Sequence, residues 1–171
     1  MVELLSKRRS IRKYKNKMVE DFKLEQILKG ALLAPSSMNK KPVEFIVIND
    51  KNILEKLEGC KDKGTVALKT APVAIVVLAD FEKSNVWIED ASIASTNIML
   101  EAEDLGLGSC WIQIRNRKSG NISSEDAVRE VLDIPSNMEV LNIITLGYKD
   151  EEKLAYKLED LNFTKIHYNK Y

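Results

Sequence analysis

The sequence predicts an α+β (mixed α/β) fold in which one long helix packs against a central sheet. Three observations predict it. Short apolar runs rich in β-branched residues, at 43–48, 73–79, 109–114 and 139–146, have the length and turn-residue borders of strands. Helical periodicity fills the chain between them, without the regular alternation of a βαβ array. One helical pattern, residues 87–105, is much longer than the others and stops at Gly106, a natural C-terminal breaker.

Taken in order, residues 2–8 form a short helix, overlapped by a strongly basic stretch from Lys7 to Lys17. Asp21 is the expected N-cap of the next helix, whose apolar positions Leu24, Ile27, Leu28, Ala31 and Leu32 recur at helical spacing. Pro35 ends it, and Ser36, Ser37 and Asn39 make a polar loop. The strand VEFIVI follows, then a short helix carrying Ile53, Leu54 and Leu57. Beyond Pro72 the run VAIVVLA is apolar without a break, the pattern of a strand buried on both faces. The long helix carries a stripe of Trp87, Ala91, Ala94, Ile98, Ala102 and Leu105. Its small middle residues suit close approach of a neighbour, either the chain's own sheet or a second subunit. After strand 109–114, Ser123 or Ser124 caps a helix with Val128, Val131 and Leu132, and the last strand ends at Gly147. From about residue 148 the chain is polar, with isolated Leu154, Leu158, Leu161, Phe163 and Ile166. Such a segment cannot fold alone and is expected to be a C-terminal arm of the single domain, anchored on another surface such as that of a partner subunit.

The chain's 171 residues, 44% of them hydrophobic, suffice for one domain with its own core. Its 26 basic and 26 acidic residues cancel, which argues against nucleic-acid or membrane-surface binding, since both rest on excess positive charge. Cys60 and Cys110 match no zinc or redox spacing and are too few for a disulfide scaffold. The single histidine, His167, argues against a histidine-built metal site. The opening MVELLSKRRS lacks the apolar core of a secretory leader, and no apolar run nears the roughly 20 residues that span a bilayer. A reducing cytoplasm is the expected setting.

Chemistry concentrates in three segments. Arg8, Arg9, Ser10 and Arg12 place three guanidinium forks and a hydroxyl within five residues, a set suited to phosphate oxygens. In an extended chain Arg8, Ser10 and Arg12 project to one side. The plainer alternative is a solvated basic face. Pro35, Ser36, Ser37 and Asn39 offer hydrogen bonds to the polar edge of a flat heterocycle, though the same residues make ordinary turns. Residues 105–109 (LGLGS) lack the GxGxxG spacing and follow a helix, so they are a helix-to-strand turn and not a dinucleotide loop. Cys110 beyond it is expected to be buried packing.

RRSIRKY, APSSMNKKPVEFIVI, WIEDASIASTNIMLEAEDLGLGSCWI and the ending HYNKY resemble, in order and across nearly the whole chain, the motifs of the nitroreductase family of FMN-dependent oxidoreductases. The resemblance implies a nitroreductase-like central sheet flanked by helices, in an intertwined homodimer with flavin mononucleotide (FMN) between the chains. It implies that Arg8, Arg9, Ser10 and Arg12 hold the FMN phosphate and ribityl hydroxyls. Pro35, Ser36, Ser37 and Asn39 would contact the flavin from the other subunit. Trp111, Ile112, Gln113 and Ile114 would run beside the ring, with a backbone N–H of Gln113 or Ile114 facing flavin N5. Lys157 stands where many members carry a phosphate-binding arginine, and Lys41 where glutamine is frequent. A long insertion that covers the flavin in larger members is missing, so the substrate pocket is open or built differently. The implied activity is ping-pong: NADH or NADPH gives hydride to the flavin, which passes it to a nitroaromatic, quinone or enone. A flavin store or sensor, and a flavoenzyme that dehalogenates or dehydrogenates, are the alternative readings, with a flavin-free interaction module built on the basic N-terminus behind them.

Overall fold

A computed structural model describes residues 1–171. Helix α1 (Val2–Lys7) leads through the basic segment into α2 (Asp21–Leu32). Strand β1 (Val43–Ile48) has the bounds the sequence predicts. Helix α3 (Lys51–Glu58) follows, started by the Asp50 carboxylate, which accepts the Asn52 and Ile53 N–H groups. Then come β2 (Val73–Asp80), the long α4 (Trp87–Asp104) and β3 (Gly108–Gln113). A miniature hairpin of β4 (Lys118–Ser119) and β5 (Ile122–Ser123) turns through Gly120, whose φ of +58° suits glycine. Of the two expected capping serines it is Ser123 that starts α5 (Ser124–Leu132), its hydroxyl accepting the Asp126 N–H at 2.9 Å. Strand β6 (Met138–Gly147) completes the core, and only two single 3₁₀ turns interrupt the extended chain beyond it.

Four strands form one sheet in the order β1-β2-β6-β3, antiparallel throughout. Strand β2 lies inside it, which explains its unbroken apolar run. Val73, Ile75, Val77 and Ala79 face α2 and α4, while Ala74, Val76 and Leu78 face α3 and α5. Opposite Val77 and Leu78 the register slips, so β6 carries one extra residue, Leu141. The small-residue stripe of α4 packs on the chain's own sheet: Ala91, Ile98 and Ala102 share one core cluster with Val73, Ile75 and Val77. No helix is long and apolar enough to cross a membrane.

The start of α2 differs from the sequence expectation. The N-cap is Glu20, with Asp21 the first helical residue, and no side chain caps the helix. Both Glu20 oxygens are instead taken by the Tyr148 hydroxyl, at 2.6 and 2.8 Å, and Lys17 stands 3.3 Å away. Lys23 bonds the same hydroxyl at 3.1 Å and the Leu105 carbonyl at 3.0 Å. These contacts tie the root of the C-terminal segment to α2 and to the end of α4.

The Tyr148 hydroxyl, first among several donors, holds the Glu20 carboxyl down at about 2. A carboxyl depressed on folding stabilises the fold above its ordinary range, and that stabilisation is lost as pH falls toward the folded value. Tyr148→Phe should therefore lower stability at neutral pH, with the gap to wild type closing between about pH 4.5 and 2. Urea titrations at several pH values check this; a gap independent of pH would contradict it.

Candidate functional site

The basic N-terminal segment runs extended along the free edge of β3. Ser10 bridges Ser109 in parallel, and the Ile11 N–H donates to the Ser109 carbonyl at 2.9 Å. Ile11 is buried against the sheet, which anchors the segment. The approach is so close that a Cβ on Gly108 would stand 2.8 Å from the Ile11 Cβ. Arg8 and Ser10 are half-buried and Arg12 is exposed, its guanidinium reaching back to the Ser10 carbonyl at 3.4 Å. Arg9 does different work. It donates to the Leu154 carbonyl and lies 4.3 Å over the Tyr156 ring, while the Tyr156 N–H donates to the Ser6 carbonyl at 2.9 Å. Lys157 is thereby brought beside the N-terminal segment, exposed, with Glu159 at 3.8 Å.

Between this segment and the root of the C-terminal chain lies a cleft of about 930 Å³. Lys7, Arg9, Lys15, Lys149 and Lys153 line it, against Asp150, Glu151 and Glu152. The carboxylates are partly spent already. Glu151 accepts the Arg12 backbone N–H, which with Lys153 at 3.5 Å holds its carboxyl below the usual range, and Asp150 pairs with Lys13 at 3.4 Å. Burial pushes the Cys110 thiol up, with Arg12 and Lys153 opposing, and pushes Cys60 up to about 11, so neither is a thiolate nucleophile at neutral pH.

Strand β3 has only one partner, so half of its backbone groups face outward. The Ser109 carbonyl points out to Ile11, and by alternation the N–H groups of Trp111 and Gln113 lie on the same free edge. The Ile114 N–H is turned inward and spent on the Leu141 carbonyl at 3.2 Å. The side chains of Ile112 and Ile114 are core. Those of Trp111 and Gln113 form a rail on the other face: the indole N–H donates to Gln113 Oε1 at 2.9 Å, and Gln113 Nε2 donates to the Arg115 carbonyl at 2.8 Å.

The Pro35–Asn39 loop lies elsewhere. It precedes β1, on the opposite edge of the sheet; along the strands it lies at the Gln113 end of β3, away from the end where Ser10 bridges Ser109. By strand spacing, the loop's entry to β1 and the Ser10 bridge are about 19 Å apart across the sheet and about 20 Å along it. The loop is shaped by its own polar groups. Ser36 Oγ accepts the Lys41 N–H at 2.9 Å, and the carboxylate of Asp90, in the first turn of α4, accepts the Ser37 N–H at 2.8 Å. Ser36 and Ser37 are half-buried, whereas Pro35, Asn39 and Lys41 are exposed.

The family model of the nitroreductases matches residues 5–62 and 60–148. The chain belongs to the nitroreductase family. An FMN-dependent nitroreductase from Clostridium difficile R20291 is 54% identical, with all of both chains covered and a TM-score of 0.98. A protein of Archaeoglobus fulgidus, provisionally named NADH dehydrogenase/NAD(P)H nitroreductase, is 38% identical over 99% of this chain and 98% of its own. A provisionally named nitroreductase of Desulfovibrio desulfuricans, solved in complex with FMN, is 25% identical, with 95% and 94% of the two chains covered and a TM-score of 0.75.

Within this nitroreductase chain, the N-terminal arginine segment and the edge of β3 come together, Lys157 follows the Tyr156 that bonds Ser6, and Pro35, Ser36, Ser37, Asn39 and Lys41 stand apart from them. Sequence reasoning missed the lysines of the cleft, for which charge alone was no signal. It also missed Asp90, for which a signal existed: a carboxylate between Trp87 and Ala91, inside the apolar stripe of the long helix. Gly108→Ala should destabilise the chain by about 1–3 kcal/mol, because Ile11 has no room to retreat. A urea midpoint equal to wild type would show that the segment yields freely.

Proposed function

We propose that this nitroreductase binds one FMN per subunit between two copies of the chain and passes reducing equivalents from NADH or NADPH to a small organic acceptor. The observation that carries the reading is the extended arginine segment seated on the free edge of β3, where Ser10 bridges Ser109. Arg8 and Arg12 enter no ion pair, which leaves their guanidinium groups to a phosphate, and the outward backbone groups of Trp111 and Gln113 on the same strand edge suit the polar edge of a flat ring. Arg8, Ser10 and Arg12, with Lys157, would hold the phosphate and ribityl end. The Gln113 N–H is the donor left free for flavin N5, since the Ile114 N–H is already bonded. Arg9 is engaged by Leu154 and Tyr156 and holds the arm in place.

The second copy follows from the sheet. One chain carries the arginine segment and the Pro35–Asn39 loop at opposite corners, so the two converge on one ring only when a partner supplies the loop. The arm supports this. Every residue from 152 on is exposed, including Leu154 at 88%, Phe163 at 68% and Tyr168 at 84%. Apolar side chains in that number call for a surface to cover them, and the partner subunit is that surface.

Bound FMN would supply two-electron hydride chemistry, alternating between the nicotinamide and an acceptor of the nitroaromatic, quinone or enone type. The chain's own part is to grip the phosphate, to place donors along the ring edge and to leave one face open. Both cysteines are free, in keeping with work in the cytoplasm. Anaerobic addition of NADH or NADPH to the FMN-loaded protein should bleach the flavin absorbance, and an acceptor should restore it. A colour that neither nicotinamide changes would favour a flavin store. Arg8→Ala with Arg12→Ala should cost about 3 kcal/mol or more in FMN affinity, at about 1.5–3 per charged contact. Stoichiometric flavin surviving a desalting column in that variant would refute the phosphate assignment. Deleting residues 155–171 should shift the protein from dimer toward monomer by sedimentation, and a full-length protein that sediments as a monomer would end the two-copy reading.

A further inference from the structure

Asp90 is a buried carboxylate, 3% exposed, with no basic group within ion-pair distance. Both of its oxygens are used. Oδ1 accepts the Ser37 N–H at 2.8 Å, and Oδ2 accepts the hydroxyl of Ser84, itself buried, at 3.1 Å. Its neighbour Glu89 occupies the same first turn of α4 and points into solvent, so complementing the helix dipole does not require a second, buried acid. What Asp90 holds is unusual. Met38, Asn39 and Lys41 all adopt left-handed backbone, with φ of 51°, 55° and 47°, and none is glycine. Against the loop opens a small pocket of about 70 Å³, lined by Pro35, Ser36, Lys41, Phe45, Asp90 and Ala94 among others. Met38 is 85% exposed. The loop is therefore held in an unfavourable backbone shape beside an open pocket, and the Asp90 carboxylate is the bond that crosses from α4 to the loop.

We propose that Asp90 is a positioning residue of the cofactor site: its carboxylate clamps the loop at Ser37, fixing the shape in which Pro35, Ser36 and Asn39 meet the flavin of the partner's half-site. The proposal rests on the FMN reading above. A loop free to relax its left-handed residues would present those groups in many arrangements, and ordering them on binding would weaken affinity. An asparagine keeps a carbonyl oxygen where Oδ1 now accepts the Ser37 N–H, and the Ser84 hydroxyl can turn to accept from the new amide nitrogen. Asparagine should therefore replace aspartate here, whereas alanine should not.

The test uses the full-length protein with Asp90→Ala and Asp90→Asn, and reads two quantities. The first is amide hydrogen exchange at residues 37–41 without FMN. Asp90→Ala should exchange about ten-fold faster or more at Ser37, as loss of one charge-assisted bond predicts, with Asp90→Asn close to wild type. The second is FMN affinity and the shape of the bound flavin's visible absorption band. Asp90→Ala should bind about ten-fold more weakly or worse, with a band closer to that of free FMN, and Asp90→Asn should restore both. Wild-type exchange at Ser37 in the alanine variant overturns the clamp. Faster exchange with unchanged FMN affinity and spectrum overturns its role in the site. Equal loss in both variants overturns the hydrogen-bond account. A wild-type protein that takes up no FMN sinks the FMN reading, and the exchange data still decide whether Asp90 holds the loop.

Discussion

The order of the four strands governs what a single copy of this chain can assemble. Strands β2 and β6 stand between β1 and β3, so whatever is attached to β1's entry is held away from whatever lies on β3's outer edge. The sheet is a rigid spacer, its inner strands β2 and β6 buried on both faces and joined by antiparallel hydrogen bonds. No loop motion brings the serine loop to the arginine segment without unfolding it. A site that uses both must be built by symmetry, with each copy lending one corner to the other. In a twofold pair that exchange is reciprocal, so two sites form or none do.

The two corners are held in different ways. The arginine segment is fixed by packing: Ile11 is driven into the core, and the absence of a side chain at Gly108 lets the backbones approach. Removal of apolar area from water stabilises this corner, and its main cost is sensitivity to any added atom. The loop corner is fixed by polar bonds beside an open pocket, with three non-glycine residues in left-handed backbone. Such a corner is defined in shape yet easily disturbed, in keeping with a surface that completes a site on another molecule.

Much of the fold was legible because burial imposes periodicity. Strand β1 was read to the residue, and the unbroken run of β2 is what two apolar faces require. The long helix and its stripe were read too, although the stripe could not say which neighbour it touched; the answer, its own sheet, depends on strand order. The N-cap was misplaced by one residue because Glu20 answers to Tyr148, 128 residues away, and local pattern holds no trace of that. The two-residue strands β4 and β5 are too short for any period. The arginine segment was legible by composition and the loop by its turn residues, but their distance was not. Gln113 and Ile114 were likewise inseparable in sequence, because only the free edge of β3 shows which N–H remains unspent.

Arg9 links the arginine segment to the arm. It sits between two residues assigned to phosphate, yet its guanidinium is committed to Leu154 and Tyr156, at the point where the exposed arm leaves the body. The proposed grip on the cofactor and the direction of the arm therefore share one short segment of backbone. If the arm embraces a partner, anything that orders the segment favours the paired state, and pairing in turn orders the segment. Coupling of this kind is reciprocal by thermodynamic necessity. A ligand that binds the pair and not the separated chains draws the equilibrium toward the pair in proportion to its own affinity. The arm's exposed apolar surface, a liability for an isolated copy, then becomes the link through which cofactor and partner each strengthen the binding of the other.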